Sequence, residues 1–181
     1  MKMLAVEFSS EHRSVAVLDG ENLLTEKTIT EGRNTAAVQL IEETLTAAKT
    51  SSPEIECIAV GIGPGSYTGI RAAIALTQGW QLAAGVKVQA AGSLEALALG
   101  RQNAGDRGEI TFATDAARGE FYLAKFELEN EGIRNTEPTR LAKRDEKQAK
   151  RKNESTRNHR VVSFQRRLAS ARSSGVLMLN N

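Results

Sequence analysis

The sequence predicts an α/β protein: one mixed sheet with helices packed against it. Three observations carry that expectation. The chain opens with three short apolar runs separated by tight turns. Strand-like and helix-like runs then alternate. A glycine-rich turn stands at the first strand-to-helix junction after the opening. The 181 residues suffice for one domain or two small lobes. With 40% hydrophobic residues but only 4% aromatic ones, the core must be aliphatic.

Met3 to Phe8 is an apolar run of strand length, and Ser14 to Leu18 is another, closed by the turn pair Asp19-Gly20. Leu23 to Ile29 reads as a third strand, so the three form an antiparallel meander. Asn34 or Thr35 can cap the helix that follows. From there Ala37, Val38, Ile41, Leu45 and Ala48 fall on one helical face, and Ser51-Ser52-Pro53 ends it. Ile55 to Val60 is a buried-strand candidate. A helix-like run follows the glycine turn from Ala72 to Ala84, with Gly85 placed as its C-cap. Val86 to Ala90 is the next strand, and Ser93 caps a short helix to Leu99. Ile110 to Thr114 and Phe121 to Phe126 form a hairpin. The order is βββαβαβα, then ββ, with right-handed crossovers after the meander.

Charge divides the chain sharply. Up to Glu137 there are 12 basic and 19 acidic residues; from Pro138 there are 12 basic and 3 acidic. Residues 1–100 are expected to form the first lobe, 101–137 the start of a second, and 138–181 a basic, largely disordered tail. The tail, with Lys143, Arg144, Lys147, Lys150, Arg151 and Lys152, has the charge to grip nucleic-acid phosphates. Its single aromatic residue, Phe164, supplies little base stacking. No apolar run approaches the roughly 20 residues that cross a bilayer. Glu7 comes too early for a signal peptide, and Cys57 is the only cysteine. A soluble, cytoplasmic protein without membrane contact is the expectation.

The turn itself is Gly61-Ile62-Gly63-Pro64-Gly65-Ser66-Tyr67-Thr68-Gly69-Ile70-Arg71. It is built either to hold an anion at a helix start or to seat a helix tightly against bare backbone. It is not a Walker A loop, because Ile70-Arg71 follows Gly69 in place of Lys-Ser/Thr. Nor is it the dinucleotide fingerprint, since the spacing from Gly63 is one residue too long. Arg71 opposes the helix dipole at a cost of about 0.3–1 kcal/mol, which suggests a carboxylate or phosphate partner or a salt bridge to a neighbouring strand. Trp80 is either core or an interface anchor. Metal chemistry is not supported: His12 and His159 are the only histidines, in a turn and in the tail. Around Ser66, Pro64 and Thr68 take both glycine places of a nucleophile elbow. Cys57 sits inside a strand and is read as inert core.

The string Gly63-Pro64-Gly65-Ser66-Tyr67-Thr68-Gly69-Ile70-Arg71 resembles the hallmark of the TsaB family, also called YeaZ. Asp115-Ala116-Ala117-Arg118-Gly119-Glu120-Phe121-Tyr122 is similar to that family's Asp-Ala-Arg-x-Gly-Glu-x-Tyr hairpin, with Ala117 where the arginine is expected and Arg118 one place later. The likeness runs from Met1 to about Phe126 and is absent after Pro138, so 138–181 is expected to be disordered or foreign to the family. It implies an actin-like, ribonuclease H-like lobe, with the second lobe truncated or incomplete. It also implies a non-catalytic subunit in the making of threonylcarbamoyladenosine on tRNA. Such a subunit pairs with itself or with a larger TsaD-like protein, which a TsaE-like ATPase joins, and meets tRNA only indirectly. Pairing is implied through the helices near Thr35–Ala48 and Ile70–Ala84, with Val38, Ile41, Leu45, Ile74 and Trp80 as interface residues. No intrinsic cofactor is implied; ATP and Mg²⁺ belong to the partner or a shared interface. Glu7 stands near the place where actin-like ATPases carry a metal-organising Asp. It is therefore either a nucleotide–metal residue or an exposed strand end. Ser9 and Ser10 either bind phosphate or turn the chain. The rival to the scaffold is an actin-like ATP-binding enzyme or kinase using Glu7 and the glycine turn.

Overall fold

A computed structural model describes residues 1–29, 37–116 and 118–143. The meander is present as β1 (Lys2–Glu7), β2 (Arg13–Asp19) and β3 (Asn22–Ile29). Helix α1 (Ala37–Ala47) follows; the expected caps Asn34 and Thr35 lie outside the described residues. Then come β4 (Cys57–Gly61), α2 (Tyr67–Ala84), β5 (Lys87–Ala91) and α3 (Ser93–Asn103). Five strands form one sheet in the order β3-β2-β1-β4-β5. β1 pairs antiparallel with β2, and β2 with β3; β1–β4 and β4–β5 are parallel.

Alternation along the middle strand β1 divides the core. Leu4, Val6 and Phe8 point to one face, where they join Val15, Val17, Ile58, Val60 and the helix residues Leu40, Ile41, Leu45 and Ala73. Met3 and Ala5 point to the other, with Ala16, Leu18, Cys57, Ala59, Ala91 and Ala96 of α3. Small residues dominate this second face and let α3 approach it closely. Among the described residues, no helix is long and apolar enough to cross a membrane.

A second sheet holds β6 (Gly108–Asp115), β7 (Glu120–Leu128) and β8 (Ile133–Lys143), antiparallel in that order. Its inner residues Ala124, Phe126 and Leu128 pack on Leu94 and Ala98 of α3. So α3 is clamped between the two sheets. Its C-terminal end is tied to the β7–β8 turn, where Gln102 Nε2 donates to the carbonyls of Glu129 and Asn130 at 3.1 and 3.3 Å.

One expectation needs correction here. The charge break at Pro138 is not a structural break: the expected hairpin gains a third strand, β8, which runs through it to Lys143. Pro138 fits because β8 is an edge strand and the register shifts beside it, leaving Pro138 and Thr139 opposite Ala124. β8 escaped notice because it has no apolar alternation. Cross-strand ion pairs such as Lys125 Nζ with Glu137 (2.9 Å) accompany its ladder instead.

Candidate functional site

The glycine turn lies at the C-terminal ends of β1 and β4, and two of its glycines, Gly65 and Gly69, face the chain's own backbone. A methyl group at Gly69 would overlap the carbonyl oxygen of Phe8, and one at Gly65 the carbonyl of Ser9. Gly63 has φ of 87°, a left-handed value that disfavours any side chain. Ser66 caps α2 by accepting from the Gly69 N–H at 3.3 Å, while its own N–H donates to the Ser9 carbonyl at 2.6 Å. Of the two roles open to this turn, tight seating is the one its contacts describe. Helix α2 begins at Tyr67, earlier than the apolar pattern indicates, because the Ser66 cap precedes any apolar repeat.

Glu7 is not an exposed strand end. It is 6% exposed, and both carboxyl oxygens are engaged by the chain. Oε1 accepts from the Ser9 N–H at 2.6 Å, and Oε2 accepts from the Ser93 hydroxyl at 2.9 Å. Ser9 Oγ lies 2.9 Å from Ser93 Oγ. Since Ser93 gives its one hydrogen to Glu7, the Ser9 hydroxyl donates to Ser93. Gly61 lies against this carboxyl group, leaving no room for a side chain there. A metal or phosphate at the end of β1 would have to displace these internal contacts. The residues present do not fit a nucleotide–metal centre. Ser93 does not cap α3 as expected; Gly92 holds that place, and Ser93 reaches back to Glu7. Among the described residues, no three His, Cys, Asp or Glu side chains converge as metal ligands do.

The outer side of α2 faces away from the sheet. Among the described residues, Arg71 meets Tyr67 and no carboxylate. Its guanidinium lies 5.2 Å from the centre of the Tyr67 ring, and Nη1 donates to Tyr67 Oη at 3.4 Å. Tyr67, Thr68, Arg71, Ile74, Ala75 and Gln78 line a shallow groove of about 440 Å³. Leu82, further along and off the buried 69-73-77 stripe, is 89% exposed and was not among the expected interface residues. Of the expected interface residues, Val38 is exposed and Ile74 lines the groove. Trp80 is half-buried against the core. Ile41 and Leu45 are a correction: both are buried under α1 and cannot meet a partner directly.

The second motif occupies the β6–β7 hairpin, on the other sheet. Asp115 ends β6 and Glu120 starts β7; the Ala116 N–H donates to the Glu120 carbonyl at 3.0 Å. Arg118 and Gly119 turn the chain with φ of 52° and 77°. Ala117 lies outside the described residues. The two motifs are thus not one site; α3 stands between the sheets that carry them.

Strand order and the seated helix define an actin-like fold. The structure matches YeaZ from Pseudomonas aeruginosa with a TM-score of 0.71 and 26% identity, over 78% of this chain and 67% of that one. It matches (R)-2-hydroxyglutaryl-CoA dehydratase component A from Acidaminococcus fermentans with a TM-score of 0.50 at 13% identity, over 79% of this chain and 48% of that one. In sequence, it is 29% identical over 140 residues to the tRNA threonylcarbamoyladenosine biosynthesis protein TsaB of Escherichia coli, covering 77% of this chain. The Bacillus subtilis protein of the same name is 28% identical over 134 residues, 72% of this chain and 57% of that one. The chain spans 61% of the length of the E. coli relative. The model of the family described as TsaD, tRNA N6-adenosine threonylcarbamoyltransferase, matches residues 32–170, past both Phe126 and Pro138. The chain belongs to this family, among its TsaB (YeaZ) members.

Proposed function

We propose that the chain is a docking subunit, without catalysis of its own, in the biosynthesis of threonylcarbamoyladenosine on tRNA. Its partner is a larger TsaD-like protein that holds the reacting groups. One observation carries this reading: α2 is 18 residues long with a single charge, Arg71, and buries only Gly69, Ala73 and Thr77. A helix this apolar and this open suits a partner's surface better than water. The membership reported above supports the pathway. The internal engagement of Glu7 favours a scaffold over an ATP-binding enzyme. ATP and Mg²⁺ then belong to the partner or to a shared interface, tRNA is met through the partner, and the assembly works in the cytoplasm. A TsaE-like ATPase joins it there.

Size-exclusion chromatography tests the reading. Mixed with a TsaD-like protein, the chain elutes as a mixed dimer, and Leu82→Asp, which alters only an exposed residue, abolishes the shift. A wild-type chain that elutes unchanged beside the partner overturns the proposal. Elution of the chain alone as a dimer that excludes the partner assigns the face to self-pairing instead. Titration of the chain alone with millimolar ATP and Mg²⁺ gives no heat; strong heat lost in Glu7→Ala revives the enzyme reading.

A further inference from the structure

Three segments far apart in sequence meet at Glu7. Glu7, Ser9 and Ser93 are 6%, 7% and 8% exposed, so a small polar cluster is sealed inside an aliphatic core. From this cluster the chain's own hydrogen bonds reach the glycine turn at Gly63 and at Ser66. Through Oε1, Glu7 holds the Ser9 N–H and folds the chain back after β1. The Ser9 carbonyl then receives the N–H of Ser66, the cap of α2, at 2.6 Å. Through Oε2, Glu7 holds the Ser93 hydroxyl, and the Ser93 N–H donates to the Gly63 carbonyl at 2.7 Å. Residues 63–66 are therefore suspended between two supports that share one carboxyl group.

We propose that Glu7 is the positioning residue of the docking helix: by hydrogen bonding alone it fixes where the glycine turn ends and α2 begins. That in turn sets Tyr67, Thr68 and Arg71, the first-turn residues lining the groove. This deepens the docking reading and rests on it for its functional consequence. A buried carboxyl group could instead be kept for its charge, as a metal or phosphate site requires. Hydrogen-bond chemistry separates the two roles. The Ser9 N–H can only donate, so Oε1 must stay an acceptor. The Ser93 hydroxyl can turn. Opposite a glutamine it accepts from the amide and gives its own hydrogen to Ser9 Oγ. Gln at position 7 thus keeps the Ser9 N–H and the Ser93 hydroxyl bonded, leaving only its second amide hydrogen and the Ser9 hydroxyl hydrogen without an acceptor in the cluster, whereas Ala leaves the Ser9 N–H buried without a partner.

The experiment compares Glu7→Gln, Glu7→Ala and Ser93→Ala in the full chain. Phe126→Leu in the second sheet serves as a core-destabilising control away from the turn. Amide hydrogen exchange at Ser66 and Gly69 is read without partner, and affinity for the TsaD-like protein is read separately. Glu7→Ala and Ser93→Ala are expected to speed exchange at both amides about tenfold or more and to weaken binding about tenfold. Glu7→Gln stays within about threefold of wild type in both, and Phe126→Leu leaves both unchanged in the folded chain. If Glu7→Ala does not fold, Ser93→Ala carries the test, since it cuts the tie to α3 and leaves the Ser9 bond. Glutamine as damaging as alanine overturns the proposal, as does Ser93→Ala with wild-type exchange. Altered exchange with unaltered affinity also overturns it. Should wild type fail to bind the partner at all, the docking reading falls, while the exchange rates still decide whether Glu7 positions the helix.

Discussion

Helices α2 and α3 invert the usual relation between composition and burial. α2, with one charge in 18 residues, buries three of them. α3 carries Glu95 and Arg101 in 11 residues and buries seven. The reason is enclosure. α3 lies between two sheets, touching Ala5, Ala59 and Ala91 through Ala96 and the second sheet through Leu94 and Ala98. α2 rests on one sheet along a single stripe of small residues, Gly69, Ala73 and Thr77, spaced four apart. Small residues bring its axis close to the sheet along that line, Ile74, Leu76 and Trp80 pack half-buried beside it, and the face carrying Tyr67 and Leu82 is left outward. Apolarity in α3 serves the fold; much of that in α2 is available to another molecule.

That contrast breaks most decisively at Gly69. Gly69→Val places side-chain carbons on the Phe8 carbonyl, and backbone cannot yield as a flexible side chain does. The expected loss is about 4 kcal/mol or outright failure to fold, read from the urea midpoint. A loss below about 1 kcal/mol would mean that α2 is not seated on β1 as described. The next test sets one leucine against another. Leu94→Ala in α3 removes a side chain that is 2% exposed and should cost about 3 kcal/mol. Leu82→Ala in α2 should change stability by less than about 0.5 kcal/mol while weakening partner binding. Similar stability losses from both would show that α2 is buried by something within the folded chain, and the docking face would vanish with it.

Much of this fold was legible, for reasons that differ by element. β1, β2 and β4 are buried on both faces and read as continuous apolar runs. Gly85 marks the end of α2 because its φ of 66° suits glycine. β8 was not legible, since polar residues and ion pairs line it in place of an apolar face. At the site, the turn was legible but its ligand was not. Glycines that admit a phosphate and glycines that admit the Ser9 carbonyl look alike in one dimension. Glu7 had a faint signal: the register pairs Leu4, Ala5 and Val6 with Ile58, Ala59 and Val60, so Glu7 comes level with Gly61. Ser93 had none. It lies 86 residues from Glu7, and nothing local distinguishes it from the helix cap it was taken to be.

The smallest expected effect lies outside both helices and serves as their control. Glu54 stands in the turn before β4, where its carboxylate bonds to Lys2 Nζ and to the N–H and hydroxyl of Ser51. The Lys2 ammonium first, and the Ser51 donors after it, lower its pKa from 4.5 to about 2. A carboxyl group whose folded pKa is depressed stabilises the fold fully above its unfolded value, and loses that contribution as pH falls toward the folded one. Glu54→Gln should therefore lower the thermal midpoint slightly at pH 6, with the difference closing between pH 4.5 and about 2. The effect is small because the pair is exposed and salt-screened, and it should shrink further in concentrated NaCl. Partner binding should not move, since Lys2, Ser51 and Glu54 are no part of the α2 groove. A Glu54→Gln chain that bound its partner poorly would locate the docking surface at the β1–β4 margin and leave the openness of α2 without its explanation.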